Sequence, residues 1–156
     1  MINQAIHTLD MLLYNCGMPK SVIAHVSTDT HGDFIEVEDT ASARFECEDG
    51  TVFHFCATNT ATSTTPARIE AKLASGEVVN VTSDMLVLGN KIDFVKEKDK
   101  DTGKAVWGSG HTHLVAHFYE CIESGEHFPI DLEEASKAVR LILAMYKSNG
   151  KKVEIQ

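Results

Sequence analysis

The stretch TASARFECEDGTVFHFCA, residues 40–57, predicts two β-strands joined by a tight turn. Apolar and polar residues alternate from about Thr40 to Cys47 and again from Thr51 to Ala57, which is the period of a strand that buries one face. Residues 48–50 between them read Glu-Asp-Gly, and glycine accepts the left-handed backbone that tight turns require. The sequence therefore predicts an antiparallel hairpin here.

The register of this hairpin can be chosen from its side chains. A two-residue Asp-Gly turn would place Phe45 opposite His54, which would mix polar and apolar side chains on each face. A three-residue loop with Gly50 in the left-handed conformation pairs Phe45 with Phe53 and Ala43 with Phe55 instead. Because this second register gives one coherent apolar face, it is the register that the sequence favours.

The elements on either side of the hairpin define the fold class. Further strands are predicted at 21–26, 67–73, 77–82, 85–88 and 92–95, with an edge strand at 152–155. Apolar residues at spacings of three and four predict helices over 2–16, over 111–124 and from 131 until Gly150 ends the last one. This order, one helix followed by many strands and then two helices, indicates an α+β domain with an antiparallel-rich, open-faced sheet and helices packed on one face.

Composition and charge exclude several classes of protein. The chain has 156 residues and a formal net charge of −9, so it should repel nucleic acid and anionic membranes. No run of residues is apolar and long enough to span a membrane, and no signal peptide is visible. None of the four cysteines forms a C-x-x-C pair, so we expect reduced thiols in a cytoplasmic protein.

Three polar residues share one face of the first predicted helix. Asn3, His7 and Asp10 follow one another at spacings of four and three. Such a cluster is typical of a site, and it is also typical of a helix boundary where Asp10 only bonds a neighbour. The spacing alone favours the boundary.

Three segments together resemble the C-terminal domain of the Gfo/Idh/MocA family of nicotinamide-dependent oxidoreductases. INQAIHTLDMLLYNCG, residues 2–17, is similar to the opening helix of that domain, where Asp or Asn is followed by His four residues later and Asp three further on. VEDTASARFECEDGTV, residues 37–52, resembles its central hairpin. GSGHTHLVAHFYECIESGEHFPIDLEEASKAVRLILAMYKSNGKKV, residues 108–153, resembles its closing helices, and the three segments occur in the family's order.

The resemblance implies roles for individual residues. His7 would lie beside the reacting carbon of a sugar or polyol substrate and take part in proton transfer, while Asn3 would hold the substrate. His111 matches a Gly-His pair at the start of a family helix, which makes it a candidate substrate contact. Trp107 is a further candidate, because aromatic rings stack on the C–H faces of sugars. Asp10 more often has a structural role in such helices.

The family also implies parts that this sequence does not contain. Its members bind NAD or NADP in a Rossmann domain and carry a catalytic lysine in a Glu-Lys-Pro motif, and residues 1–156 hold neither a G-x-G-x-x-G after a strand nor a Lys-Pro. We therefore expect one C-terminal substrate-binding and oligomerisation domain, with the Rossmann domain absent, no cofactor bound and no hydride transfer by this chain alone. Since family members associate through the open sheet face, we expect a homodimer.

Two other functions stay open at this point. The chain could be a stand-alone, non-catalytic ligand-binding or scaffold module of the same fold. It could also be a metal-dependent hydrolase built on His111, His113 and His117, although only the last two share a helical face and no H-E-x-x-H motif is present. We expect no metal site.

Overall fold

The computed structural model of the chain describes residues 3, 5–63, 67–82, 85–88, 91–95 and 110–155. The elements follow the order α1 (Ile6–Cys16), β1 (Ser21–Ser27), β2 (Thr40–Glu46), β3 (Val52–Thr58), β4 (Arg68–Lys72), β5 (Val78–Thr82), β6 (Met85–Leu88), β7 (Lys91–Val95), α2 (Gly110–Ser124), α3 (Leu132–Ser148) and β8 (Val153–Glu154). In this part of the chain the strands form two four-stranded sheets, in the orders β3-β2-β1-β8 and β4-β5-β6-β7. All their pairings are antiparallel, and the predicted α+β class is confirmed. None of the described helices has the length and apolar composition that crossing a bilayer requires.

The β2–β3 hairpin has the predicted register. Phe45 lies opposite Phe53, and Ala43 lies opposite Phe55. Gly50 has φ of +85°, in the left-handed region, and its N–H donates to the carbonyl of Cys47 at 3.2 Å. The three-residue loop therefore sets both phenylalanine pairs on one face, as the side-chain pattern required.

The core lies between this first sheet and helices α1 and α3. The sheet contributes alternate residues of β1, β2 and β3, and the two helices contribute one stripe each. The buried members are Leu9, Leu12, Leu13, Val22, Ala24, Ala41, Ala43, Phe45, Cys47, Phe53, Phe55, Ala138, Leu141, Ile142, Ala144 and Met145. The opposite sheet face is open, as predicted, because the side chains in the middle of these strands are exposed there, namely Ile23, His25, Ser42, Arg44, His54 and Cys56.

Helix α3 is fixed at both ends by local bonds. The Asp131 carboxylate accepts the N–H of Glu134 at 2.8 Å, which is one half of a capping box. The Glu134 side chain bonds the Lys137 ammonium, one turn further on. At the other end Asn149 and Gly150 both adopt positive φ, so the helix ends at Ser148.

Two helices differ from their predicted form. Helix α1 begins at Ile6 rather than near residue 2, because the first helical N–H groups, those of Thr8 and Leu9, donate to the Ala5 carbonyl. Helix α2 spans the predicted residues, but of its apolar stripe only Cys121 is buried. The rest of that stripe is 43–60% exposed, namely Leu114, Val115, Phe118 and Ile122. The spacing of the apolar residues predicted the helix, but it could not predict that the apolar stripe is exposed.

Candidate functional site

His7 lies in the first turn of α1 with its side chain exposed. The helix is held by a buried stripe made of Leu9, Leu12 and Leu13. Because successive residues of a helix are rotated by about 100°, His7 faces away from that stripe and Asp10 faces the same way. The imidazole is therefore accessible to a ligand on the outer side of the helical layer.

Asn3 does not share the helical face that the spacing predicted. It lies in a turn before α1, and it is exposed. Among the described residues no hydrogen bond or ion pair joins Asn3 to His7 or Asp10. The predicted three-residue face is therefore wrong for Asn3, because the helix begins three residues after it.

His111 lies in the first turn of helix α2, and its side chain is exposed. His113 and His117 are exposed on the same helix, and the ring of His117 lies 5.6 Å from that of Phe128. The described residues show no hydrogen bond or ion pair between His111 and His7. Nor does any group of three His, Cys, Asp or Glu side chains within the described ranges come together as metal ligands would. Trp107 lies outside the described residues.

A polar groove that sequence reasoning missed lies at the end of β1. It has a volume of about 400 Å³ and is lined by Val26, Ser27, Thr28, Glu36, Val37, Glu38 and Tyr146. Burial, together with a hydrogen bond to the Glu38 carboxylate, raises the pKa of Tyr146 to about 12. The phenol therefore stays protonated and links α3 to the β1–β2 loop. No sequence pattern connects two residues so far apart in the chain.

A buried carboxylate organises the same loop. The Asp39 side chain accepts the N–H groups of Asp29, Thr30 and His31 at 3.0, 2.8 and 2.9 Å. Burial opposes its ionisation, but the bonds from Thr30, Asp29 and His31 outweigh burial and hold the pKa of this carboxyl well below its usual range. The loop between β1 and β2 is therefore fixed by an ionised anchor.

The open face of the first sheet presents two rows of exposed side chains across β1, β2 and β3. The first row is Ile23, Arg44 and His54, and the second is His25, Ser42 and Cys56. A shallow concavity of about 380 Å³ lies over these rows.

Arg44 of the first row belongs to a small network of charged groups. Arg44 and Lys152 lie 3.6 and 3.4 Å from the same carboxylate, that of Glu46. The nearby Lys152 ammonium holds the pKa of Glu46 below its usual range. Glu46 is therefore already paired with two cations within its own chain.

Comparisons with known proteins agree with this architecture. The model of the GFO/IDH/MocA C-terminal domain matches residues 1–79, which is half of the chain. No curated protein matches the chain by sequence.

Three solved structures illustrate the likeness. An oxidoreductase from Thermotoga maritima is 18% identical with a TM-score of 0.77, over 96% of this chain and 42% of that one. The WlbA dehydrogenase from Bordetella pertussis, in complex with NADH and UDP-GlcNAcA, is 23% identical with a TM-score of 0.64, over 99% and 44%. An aldose-aldose oxidoreductase from Caulobacter crescentus, complexed with glycerol, is 21% identical with a TM-score of 0.72, over 97% and 46%.

These likenesses establish the fold, and they also show how much of each similar protein this chain covers. The chain spans less than half of each of the three proteins. Because the family model matches half of the chain, the family is established independently of the structural likeness. The chain belongs to the Gfo/Idh/MocA family and has the fold of its C-terminal domain.

Proposed function

We propose that this chain is the substrate-binding and dimerisation domain of an NAD(P)-dependent sugar or polyol dehydrogenase, with His7 as its proton-transfer residue. The observation that supports this most directly is the exposed His7 side chain at the start of α1, at the position of the histidine in the family's opening-helix pattern. Asn3, His111 and Trp107 are the further residues that we propose to contact the substrate.

The proposed oxidation requires a base in this domain. Oxidation of a secondary alcohol removes a proton from the hydroxyl as the C–H hydride leaves, so a base must stand beside that oxygen. A neutral imidazole can accept such a proton near neutral pH. Asn3 cannot take up a proton, so its proposed role is to hold a substrate hydroxyl by hydrogen bonding.

The described residues do not fit a dinucleotide cofactor. The phosphate cradle of such a site is a glycine-rich turn from a strand of a parallel sheet into a helix. Every described strand pairing in this chain is antiparallel, and α1 and α3 do not follow a strand. We therefore propose that the nicotinamide is bound by a separate nucleotide-binding domain, and that this chain alone does not catalyse hydride transfer.

The proposed substrate class follows the family. The Bordetella protein is in complex with UDP-GlcNAcA and the Caulobacter protein with glycerol, and these ligands belong to those proteins. For this chain they support a polyhydroxy substrate.

The proposed dimer uses the open sheet face. Ile23 and Val52 on this face are about 40% exposed, among polar and charged neighbours. A mixed face of this kind is compatible with an isologous two-fold interface, in which each copy presents the same patch to the other.

An NMR titration tests the proposed site. The histidine ring signals of the purified chain are followed while glycerol, glucose or UDP-GlcNAcA is added. We expect saturable shifts of the His7 signals with at least one ligand, weakened binding in H7N, and unchanged binding in H113N, whose side chain is also exposed on a helix. No shift at His7 with any of the ligands, or equal binding by H7N, would overturn the assignment.

A further inference from the structure

Two cysteines that are distant in the sequence lie side by side in the fold. Cys16 is the last residue of α1, and Cys47 follows β2 directly. The Sγ atom of Cys47 lies 3.7 Å from the backbone carbonyl oxygen of Cys16, to which it donates a weak hydrogen bond. Because that oxygen is two bonds from the Cys16 Cα, the Cys47 sulfur is at most about 6.5 Å from this Cα. Rotation of the short Cys16 side chain can therefore carry its sulfur toward that of Cys47.

Backbone hydrogen bonds hold the two segments together. The N–H of Lys20 donates to the carbonyl of Glu46 at 2.9 Å, which fixes the segment after α1 against the end of β2. The N–H of Cys47 donates to the carbonyl of Thr51 at 2.9 Å, and its own carbonyl accepts the N–H of Gly50 at 3.2 Å. The folded backbone therefore keeps the two cysteines as neighbours.

The two thiols differ in how easily a reagent reaches them. Cys16 is partly exposed, whereas Cys47 is only 5% exposed, and both line a surface hollow of about 450 Å³. Burial raises the pKa of both thiols, and the nearby Asp49 carboxylate raises it further. Both groups are therefore mostly protonated at neutral pH, so we expect slow reactions in which Cys16 is attacked or attacks first.

We propose that Cys16 and Cys47 are a redox-active pair, which a small disulfide such as glutathione disulfide converts into an intrachain disulfide bond. The Cys16 thiolate attacks one sulfur of glutathione disulfide, whose S–S bond breaks and releases a glutathione thiolate. The Cys47 thiolate then attacks the Cys16 sulfur of this mixed disulfide and releases the second glutathione thiolate. The two cysteines are oxidised, one glutathione disulfide is reduced, and the two cysteine protons pass to the two glutathione thiolates.

The new bond would join the end of the helix that carries His7 to the start of the β2–β3 loop. A crosslink between such distant positions restricts the unfolded chain more than the folded chain. We therefore expect the oxidised chain to melt about 5–10 °C above the reduced chain. This inference does not depend on the proposed dehydrogenase function.

The other two cysteines provide internal controls. Cys56 is exposed on the open sheet face, and the Sγ atom of Cys121 is buried in α2, 4.0 Å from the carbonyl of His127. No described contact joins either of them to another cysteine. Cys56 can therefore take up one glutathione, but it has no neighbouring thiol that would release it.

The test is incubation of the purified, folded chain with excess glutathione disulfide at about pH 8.5, the usual thiol pKa, followed by peptide mapping without reductant in a mass spectrometer. We expect a peptide that links Cys16 to Cys47 and one glutathione on Cys56. In C47S the glutathione should remain on Cys16, because nothing displaces it. C121S should behave as the unaltered chain does.

The result is read on the unaltered chain, so it stays decisive even if C47S does not fold. Separate glutathiones on Cys16 and Cys47, or no reaction of this pair, would overturn the proposal. So would links to Cys56 or Cys121 as frequent as the Cys16–Cys47 link, which is the mixture that the chain unfolded in urea should give. A crosslinked chain that melts no higher than the reduced chain would contradict the claim that the native backbone accommodates the bond.

Discussion

The rings of Phe45 and Phe53 stack across the β2–β3 hairpin with their centroids 4.8 Å apart and their planes 24° from parallel. Phe45 is completely buried, and both rings belong to the same core cluster as the buried leucines of α1 and the buried stripe of α3. The hairpin register therefore places both rings in the core that also holds the buried side of α1, the side opposite His7.

Removal of the Phe45 ring should destabilise the domain strongly. We expect F45A to lower the free energy of unfolding by about 3–5 kcal/mol, because the substitution leaves a cavity that the packed core cannot fill. V52A, on the open face of the same hairpin, should change it by less than about 1 kcal/mol. Urea denaturation followed by circular dichroism measures both, and equal effects would contradict the assignment of the two faces.

The loop register gives a second prediction at Gly50, which has φ of +85°. We expect G50A to lower the free energy of unfolding by about 1–2 kcal/mol, since a left-handed backbone is unfavourable for alanine. No neighbouring atom lies within 4 Å of the added Cβ, so the cost is conformational. G110A, at the start of α2 and equally free of close neighbours, is the matched control and should be neutral or stabilising.

The Asp39 anchor should make stability depend on pH in a defined direction. Because the folded state holds the pKa of this carboxyl well below its usual range, its contribution is complete above the unfolded pKa. The contribution is lost as the pH falls toward the folded value. D39N should therefore be less stable than the unaltered chain at neutral pH, and the difference should shrink in acid.

Acid titration of circular dichroism, with thermal melts at each pH, measures the Asp39 effect. D33N is the control, since Asp33 lies exposed in the same loop. A D39N chain as stable as D33N at neutral pH would mean that the three backbone bonds do not fix the loop.

The open face gives a prediction for assembly. I23E places a charge on this face, opposite Arg44, and should raise the dissociation constant of the proposed dimer at least about tenfold without unfolding the chain. V115E puts the same charge on the exposed stripe of α2 and serves as the control. Sedimentation velocity at neutral pH measures both, and an unchanged dimer in I23E would exclude this face as the interface.

The sequence predicts those features that are decided locally. The β2–β3 register follows from side chains a few residues apart, and the Asp131 cap follows from a spacing of three. The face of α1 that carries His7 was also predictable, because the buried leucines fix its opposite side.

Features that depend on distant packing were not predictable. The helical period extended the first helix back to residue 2, whereas the first helical hydrogen bonds are accepted by the carbonyl of Ala5. The contact between Glu38 and Tyr146 joins segments with no common pattern. The exposure of the apolar stripe of α2 likewise depends on which elements pack near the helix, and the spacing of apolar residues carries no information about that packing.

The central claim is that this chain is the substrate half of a dehydrogenase and has no nicotinamide site of its own. A fluorescence titration of the purified chain with NADH and with NADPH tests it most directly. The account predicts no binding at millimolar cofactor. Saturable binding of either cofactor would mean that these residues form a dinucleotide site, and it would contradict the claim.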